Sequence, residues 1–126
     1  RRVRKAGIVA GEKDSWISQI RKGVVEIAIL GMLSRNEMYG SEIVTVLSGH
    51  RELAISGGTV YPLLSRLKRA GLIDSVWRES PVGPPRKYYA LTRGGRDELR
   101  AMMAAWKSVS HGVDEVLEGA VIDAGS

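Results

Sequence analysis

The chain has 126 residues, enough for one domain with an adequate core, and carries 19 Lys and Arg against 14 Asp and Glu, a formal net charge of +5. It contains no cysteine, which excludes a disulfide framework and a thiolate metal site and fits a reducing compartment. No apolar run is long enough to span a bilayer and the first residues lack a signal-peptide pattern, so a cytoplasmic location without a membrane partner is expected.

Residues 1–18 open with Arg1, Arg2, Arg4 and Lys5 and show little helical periodicity. They read as a basic arm that could follow a minor groove or a phosphate backbone. Residues 20–33 form the first predicted helix. It is apolar nearly all round, which implies burial on more than one side, in its own subunit's core and at a subunit interface. Gly23 and Gly31 inside it each cost about 1 kcal/mol relative to alanine, so close packing is expected around them. Residues 34–37 connect to a second helix, from Tyr39 or Gly40 to Leu47, and residues 48–54 read as a loop.

The segment from Ser56 to Leu91 reads as a helix, a strand, a basic Pro/Gly turn and a second strand, which is a winged-helix layout. Val60, Leu63, Leu64, Leu67 and Ala70 recur at three- and four-residue spacing and give the helix one apolar face. Its other face carries Thr59, Tyr61, Ser65, Arg66, Lys68 and Arg69, side chains that phosphates and base edges can use. Proline is expected in a first helical turn, so Pro62 predicts a start near Gly58 or Thr59, with Thr59 or Ser56 as the N-cap. Gly71 supplies the stop. Residues 73–80 and 87–91 are the strand candidates. Pro81, Gly83, Pro84 and Pro85 cannot sit in a regular ladder, so they form the turn and put Arg86 and Lys87 at its return edge.

Charge is uneven along the chain. Arg66, Lys68, Arg69, Arg78, Arg86, Lys87, Arg93, Arg96 and Arg100 crowd the middle, whereas Asp114, Glu115, Glu118 and Asp123 make the C-terminus acidic. The basic pole is where a polyanion, double-stranded DNA, should bind. In the last segment Leu99, Met102, Trp106, Val109, Val113, Val116 and Ala120 alternate by three and four residues, a heptad seam over about three repeats. A helix trailing from a small domain has nothing of its own to cover that seam, so Leu99 to Val116 should pack against a second copy of the chain; the alternative is a seam that folds back on its own domain. Gly112 and Gly119 predict local weakening from Gly112 onward.

Met38-Tyr39-Gly40, Gly58-Thr59-Val60-Tyr61-Pro62-Leu63-Leu64, Gly71-Leu72-Ile73 and Gly83-Pro84-Pro85-Arg86-Lys87-Tyr88-Tyr89, in that order, resemble the PadR family of bacterial transcriptional regulators. The resemblance covers about residues 19–106. Val60 stands where Leu or Ile is commoner, and Val82 interrupts the usual glycine and acidic loop.

What the resemblance implies is an α+β, mostly helical winged helix-turn-helix at residues 19–91, followed at residues 92–126 by a C-terminal dimerisation helix and tail. The function it implies is a ligand-responsive repressor binding a pseudo-palindromic operator as a homodimer. Thr59, Tyr61, Pro62, Ser65 and Arg66 would face the major groove; Tyr39, Ser56 and the amides around Gly58 would hold phosphates; Arg86 and Lys87 would anchor the wing. In the short PadR subfamily, with its single C-terminal helix, paired tryptophans and the first helix line a cavity for flat aromatic compounds. Trp106 is the matching tryptophan here, and Ile20, Gly23 and Ile27, three and four residues apart on one face, are candidates for the opposite wall of an effector pocket between subunits; the alternative is that Trp106 simply fills the dimer core. No cofactor is implied.

Two other classes compete. His50 and His111 are isolated, no metal-ligand spacing or phosphate loop is present, and no nucleophile, base and orienter fall together, so an enzyme is not expected. A winged helix serving protein interaction or small-molecule binding without an operator is the alternative, and the basic residues on both helix and wing argue against it.

Overall fold

The computed structural model describes residues 15–122. Helix α1 (Ser15–Leu33) leads through a turn to the two-residue strand β1 (Met38–Tyr39) and helix α2 (Gly40–Ser48). A short 3-10 turn (Arg51–Leu53) precedes helix α3 (Gly57–Arg69), the strands β2 (Ile73–Arg78) and β3 (Arg86–Leu91), and the 26-residue helix α4 (Arg93–Glu118). The three strands form one antiparallel sheet in the order β1-β3-β2, with Met38 opposite Tyr89 and Ile73 opposite Leu91.

The core lies where α1, α2 and α3 meet the sheet. Val25, Ile29 and Leu33 on α1, Ile43 and Leu47 on α2, and Val60, Leu64 and Leu67 on α3 repeat at three- and four-residue spacing, and all are buried, together with Ile73 and Leu99. Leu99 ties the first turns of α4 to this core. The α3 stop is a complete Schellman motif. Gly71, at φ +80°, donates its N–H to the Lys68 carbonyl (2.9 Å), and the Leu72 N–H reaches the Leu67 carbonyl (3.0 Å).

Thr92 fastens that corner to α4. Its Oγ1 accepts from the Gly95 N–H (2.9 Å) and donates to the Gly71 carbonyl (2.7 Å), which caps α4 and fixes its departure from the sheet.

Several expectations are corrected. α1 begins at Ser15, so residues 15–18 of the expected arm are helical; Arg1, Arg2, Arg4 and Lys5 lie outside the described residues. α3 begins at Gly57 with Ser56, not Thr59, in the N-cap position, and the Ser56 side chain makes no cap hydrogen bond. Pro62 therefore falls in the second turn, where it has no N–H to offer the Gly58 carbonyl. The helix entry is tightened instead, with the Thr59 and Val60 N–H groups both donating to the Ser56 carbonyl at 3.0 Å.

β2 ends at Arg78 rather than Ser80, and Arg86 is the first residue of β3 rather than part of the turn. α4 runs through Gly112 to Glu118, leaving Ala120 beyond its end. The close packing expected at Gly23 and Gly31 is absent within the chain, because a Cβ at either would meet nothing within 4 Å.

Candidate nucleic-acid interface and inter-helix cleft

Counting about 100° per residue from the buried stripe of Val60, Leu64 and Leu67 puts Gly58, Pro62, Ser65 and Arg69 on the outward face of α3. All four are exposed. Tyr61 and Lys68 flank the stripe toward the sheet, and Thr59 and Arg66 flank it toward α1. The Lys68 Nζ donates to the Ser75 hydroxyl on β2 (2.7 Å), and the Arg66 guanidinium pairs with the Glu26 carboxylate on α1. Arg69 thus faces outward, while Arg66, favoured by the sequence, is held to one side. The wheel count carries that signal in the sequence itself.

On the sheet side, a notch of about 200 Å³ joins the start of α2 to α3 and the wing. Tyr39, Gly40 and Ser41, Tyr61, and the wing residues Trp77, Pro85, Arg86 and Lys87 line it, with Tyr89 behind. Gly40 leaves room for the Tyr61 ring, since a Cβ there would collide with its Cε1 and the ring would have to shift. The Tyr39 N–H donates to Glu42 Oε1 (3.3 Å), which closes the entry of α2.

Aromatic rings position the wing cations. The Arg86 guanidinium lies 4.4 Å from the Tyr39 ring centre, Lys87 Nζ lies 5.5 Å from that of Trp77, and Tyr39 meets Tyr88 edge to face at 5.3 Å. Arg78 holds Glu37 with two parallel hydrogen bonds, Nε to Oε1 at 2.6 Å and Nη2 to Oε2 at 3.0 Å, and so links the wing to the turn before β1. Burial first, and then the neighbouring Tyr61, push the Tyr89 phenol above the ordinary tyrosine value, so it stays a neutral hydroxyl at physiological pH. Trp77 and Ser41 were not anticipated; Trp77 is apolar yet 65% exposed, and only the packing of the wing reveals it.

Expected pocket residues also come together. Ile20, Gly23 and Ile27 of α1 face Met102, Trp106 and Val109 of α4 across an open cleft of about 490 Å³. Of the expected seam, Leu99 is buried in the chain's own core and Met102 packs partly against it. Val109, Val113 and Val116 are exposed.

Among the described residues no group of His, Cys, Asp or Glu could hold a metal ion, and no helix is long and apolar enough to cross a membrane. His111 pairs with Glu115 along α4 at 3.3 Å.

Residues 29–101 match the family model described as the transcriptional regulator PadR-like family. A transcriptional regulator of Mycobacterium tuberculosis, Rv3488, is 32% identical over 108 residues, covering 86% of this chain and 96% of the relative. The crystal structure of a PadR-like transcriptional regulator from Bacillus cereus superposes with a TM-score of 0.74 at 39% identity, covering 81% of this chain and 99% of that one. A PadR family regulator from Eggerthella lenta gives a TM-score of 0.77 at 34% identity, with 85% and 93% covered. The helical winged-helix fold, the order of the motifs and these matches agree: the chain belongs to the PadR-like family of transcriptional regulators, and it is not an enzyme.

Proposed function

We propose that the protein is a sequence-specific DNA-binding repressor that acts as a homodimer on a pseudo-palindromic operator and responds to a small aromatic effector. The observation that carries this reading is the notch that joins Arg86 and Lys87, the start of α2 and Tyr61 of α3 in one surface. Cations, helix-terminal amides and a phenol are together the groups that hold backbone phosphates. Beside it, the outward face of α3 offers Pro62, Ser65 and Arg69 to a major groove, with Thr59 and Arg66 at its edge. Tyr39, Ser56 and the Gly58 amide are assigned to phosphates, and Arg86 and Lys87 to the wing anchor.

The exposed stripe of Trp106, Val109, Val113 and Val116 supports the dimer, because apolar surface of that regularity gains about 25 cal/mol per Å² when a second copy covers it. A two-fold axis through paired α4 helices would set the two α3 helices about one helical turn of DNA apart. The cleft of Ile20, Gly23, Ile27 and Trp106 lacks an outer wall, which a second copy would supply. A flat aromatic ligand stacked there would favour one spacing of the α3 helices over another and so release DNA.

The test is the affinity of the purified protein for the DNA upstream of its own gene against a scrambled duplex at physiological salt. A preference of roughly a thousandfold or more is expected of a specific regulator. Equal, weak and salt-sensitive binding to both would leave a winged-helix module without an operator.

A further inference from the structure

The flank of α3 that faces away from the wing carries a second basic recess. It lies between the N-terminal half of α1 and α3 and has a volume of about 370 Å³. Arg21 and Lys22 come to it from α1, and Arg66 from α3. The hydroxyl residues Ser18 and Thr59 add polar groups, while Val25 and Leu63 form part of an apolar floor. No carboxylate lines it, and Glu26 just outside is engaged by Arg66. Arg21 Nε donates to the Glu52 carbonyl (2.7 Å), which fixes the guanidinium and leaves its remaining N–H groups for another acceptor. Three cations around hydroxyls, with no acid in the lining, suit an oxyanion.

Its position selects the anion. Thr59 and Arg66 stand beside the outward face of α3, on the side opposite Tyr61 and the wing notch. A helix seated in a major groove about 12 Å wide has one phosphate strand along each flank. Arg86 and Lys87 serve one flank; Arg21 and Lys22 stand at the other. We propose that the α1–α3 recess binds a backbone phosphate of the strand away from the wing, so that the two basic clusters grip both edges of the groove. This rests on reading α3 as the DNA-reading helix. On binding, the phosphate takes over the Arg66 fork that Glu26 occupies in the absence of DNA.

The experiment is the salt dependence of operator affinity for the wild type, for Lys22→Ala, and for Arg21→Ala with Lys22→Ala, on the full chain. Loss of that one phosphate contact in the double variant should flatten the slope of log K against log salt by about 0.9, with Lys22→Ala alone between the wild type and the double variant. Between 50 and 200 mM salt the wild type should then lose roughly three- to fourfold more affinity than the double variant. Lys22→Ala keeps the test decisive if loss of the Arg21 tie to Glu52 disturbs the fold. Unchanged slopes in both variants, with wild-type binding intact, would overturn the recess and leave the DNA reading standing. A wild type with no preference for any operator and no salt slope would overturn both. Saturable binding of inorganic phosphate without DNA, alongside unchanged slopes, would make this a site for a soluble anion and overturn the assignment to the duplex.

Discussion

The winged-helix part of the chain and helix α4 are written with the same three-and-four spacing of apolar residues, but they end in opposite states. In α1, α2 and α3 the stripe is closed by the chain itself, and Ile29, Leu30, Ile43, Leu47, Val60 and Leu64 have no exposed surface at all. In α4 Leu99 is the one large apolar residue buried with them, at 7% exposure, while Val109 and Val116 remain 62% and 74% exposed. Twenty-six residues make a helix roughly 39 Å long. Its first turns are fastened by Thr92 and Leu99, Met102 to Val109 face α1 across the cleft, and Val113 and Val116 stand exposed further along. Periodicity therefore reports that a helix needs a partner surface, and only the fold reports whether the chain provides it. A closed stripe stabilises the fold, and an open one is available for assembly.

The sharpest way to break that comparison is Val113→Asp. A charge in the middle of the open stripe should leave the monomer folded but separate the two copies of the proposed homodimer, since a buried unpaired carboxylate is strongly unfavourable. Binding to a two-half-site operator should weaken by roughly a hundred- to ten-thousandfold as the second half-site loses its tethered partner. Sedimentation and DNA titration would read both effects, and a dimer that survives the change would remove this stripe from the interface. In the closed region the matching change is Leu64→Ala, which should cost about 2–5 kcal/mol in denaturant unfolding through lost transfer energy and a residual cavity. Its cost should not depend on protein concentration. For Val116→Ala the cost should depend on concentration, because it is expressed only where a second copy binds.

The contrast also separates what could be read without the fold. The helix-turn-helix, the wing and the long last helix were legible because each has a local signature: repeated apolar spacing, the Gly71 stop, and the prolines between β2 and β3. β1 was not, because two residues carry no period and Met38 is a strand only by pairing with Tyr89, far along the chain. The start of α1 was written in the sequence, since Ile17, Ile20 and Val24 continue the helical spacing N-terminal to residue 25. The Arg66–Glu26 pair joins residues distant in sequence, so no local pattern could show that this cation is already engaged. Ile20, Gly23, Ile27 and Trp106 line one cleft, and which wall stands open is visible only in three dimensions.

Gly23 tests the open side of the molecule with the smallest change. It lies inside α1 and on the cleft, and a Cβ there would meet nothing within 4 Å. Gly23→Ala should therefore raise stability by about 0.5–1 kcal/mol through lower unfolded-state entropy and better helix propensity. The same methyl group projects into the space between α1 and Trp106, so binding of a flat aromatic probe, followed by the probe's own fluorescence, should weaken. Greater stability with weaker probe binding would mean that a glycine is retained at this position for the cleft at the expense of the helix. Lower stability would instead mean that the second copy packs against Gly23 directly, and that the cleft closes in the dimer before any ligand reaches it.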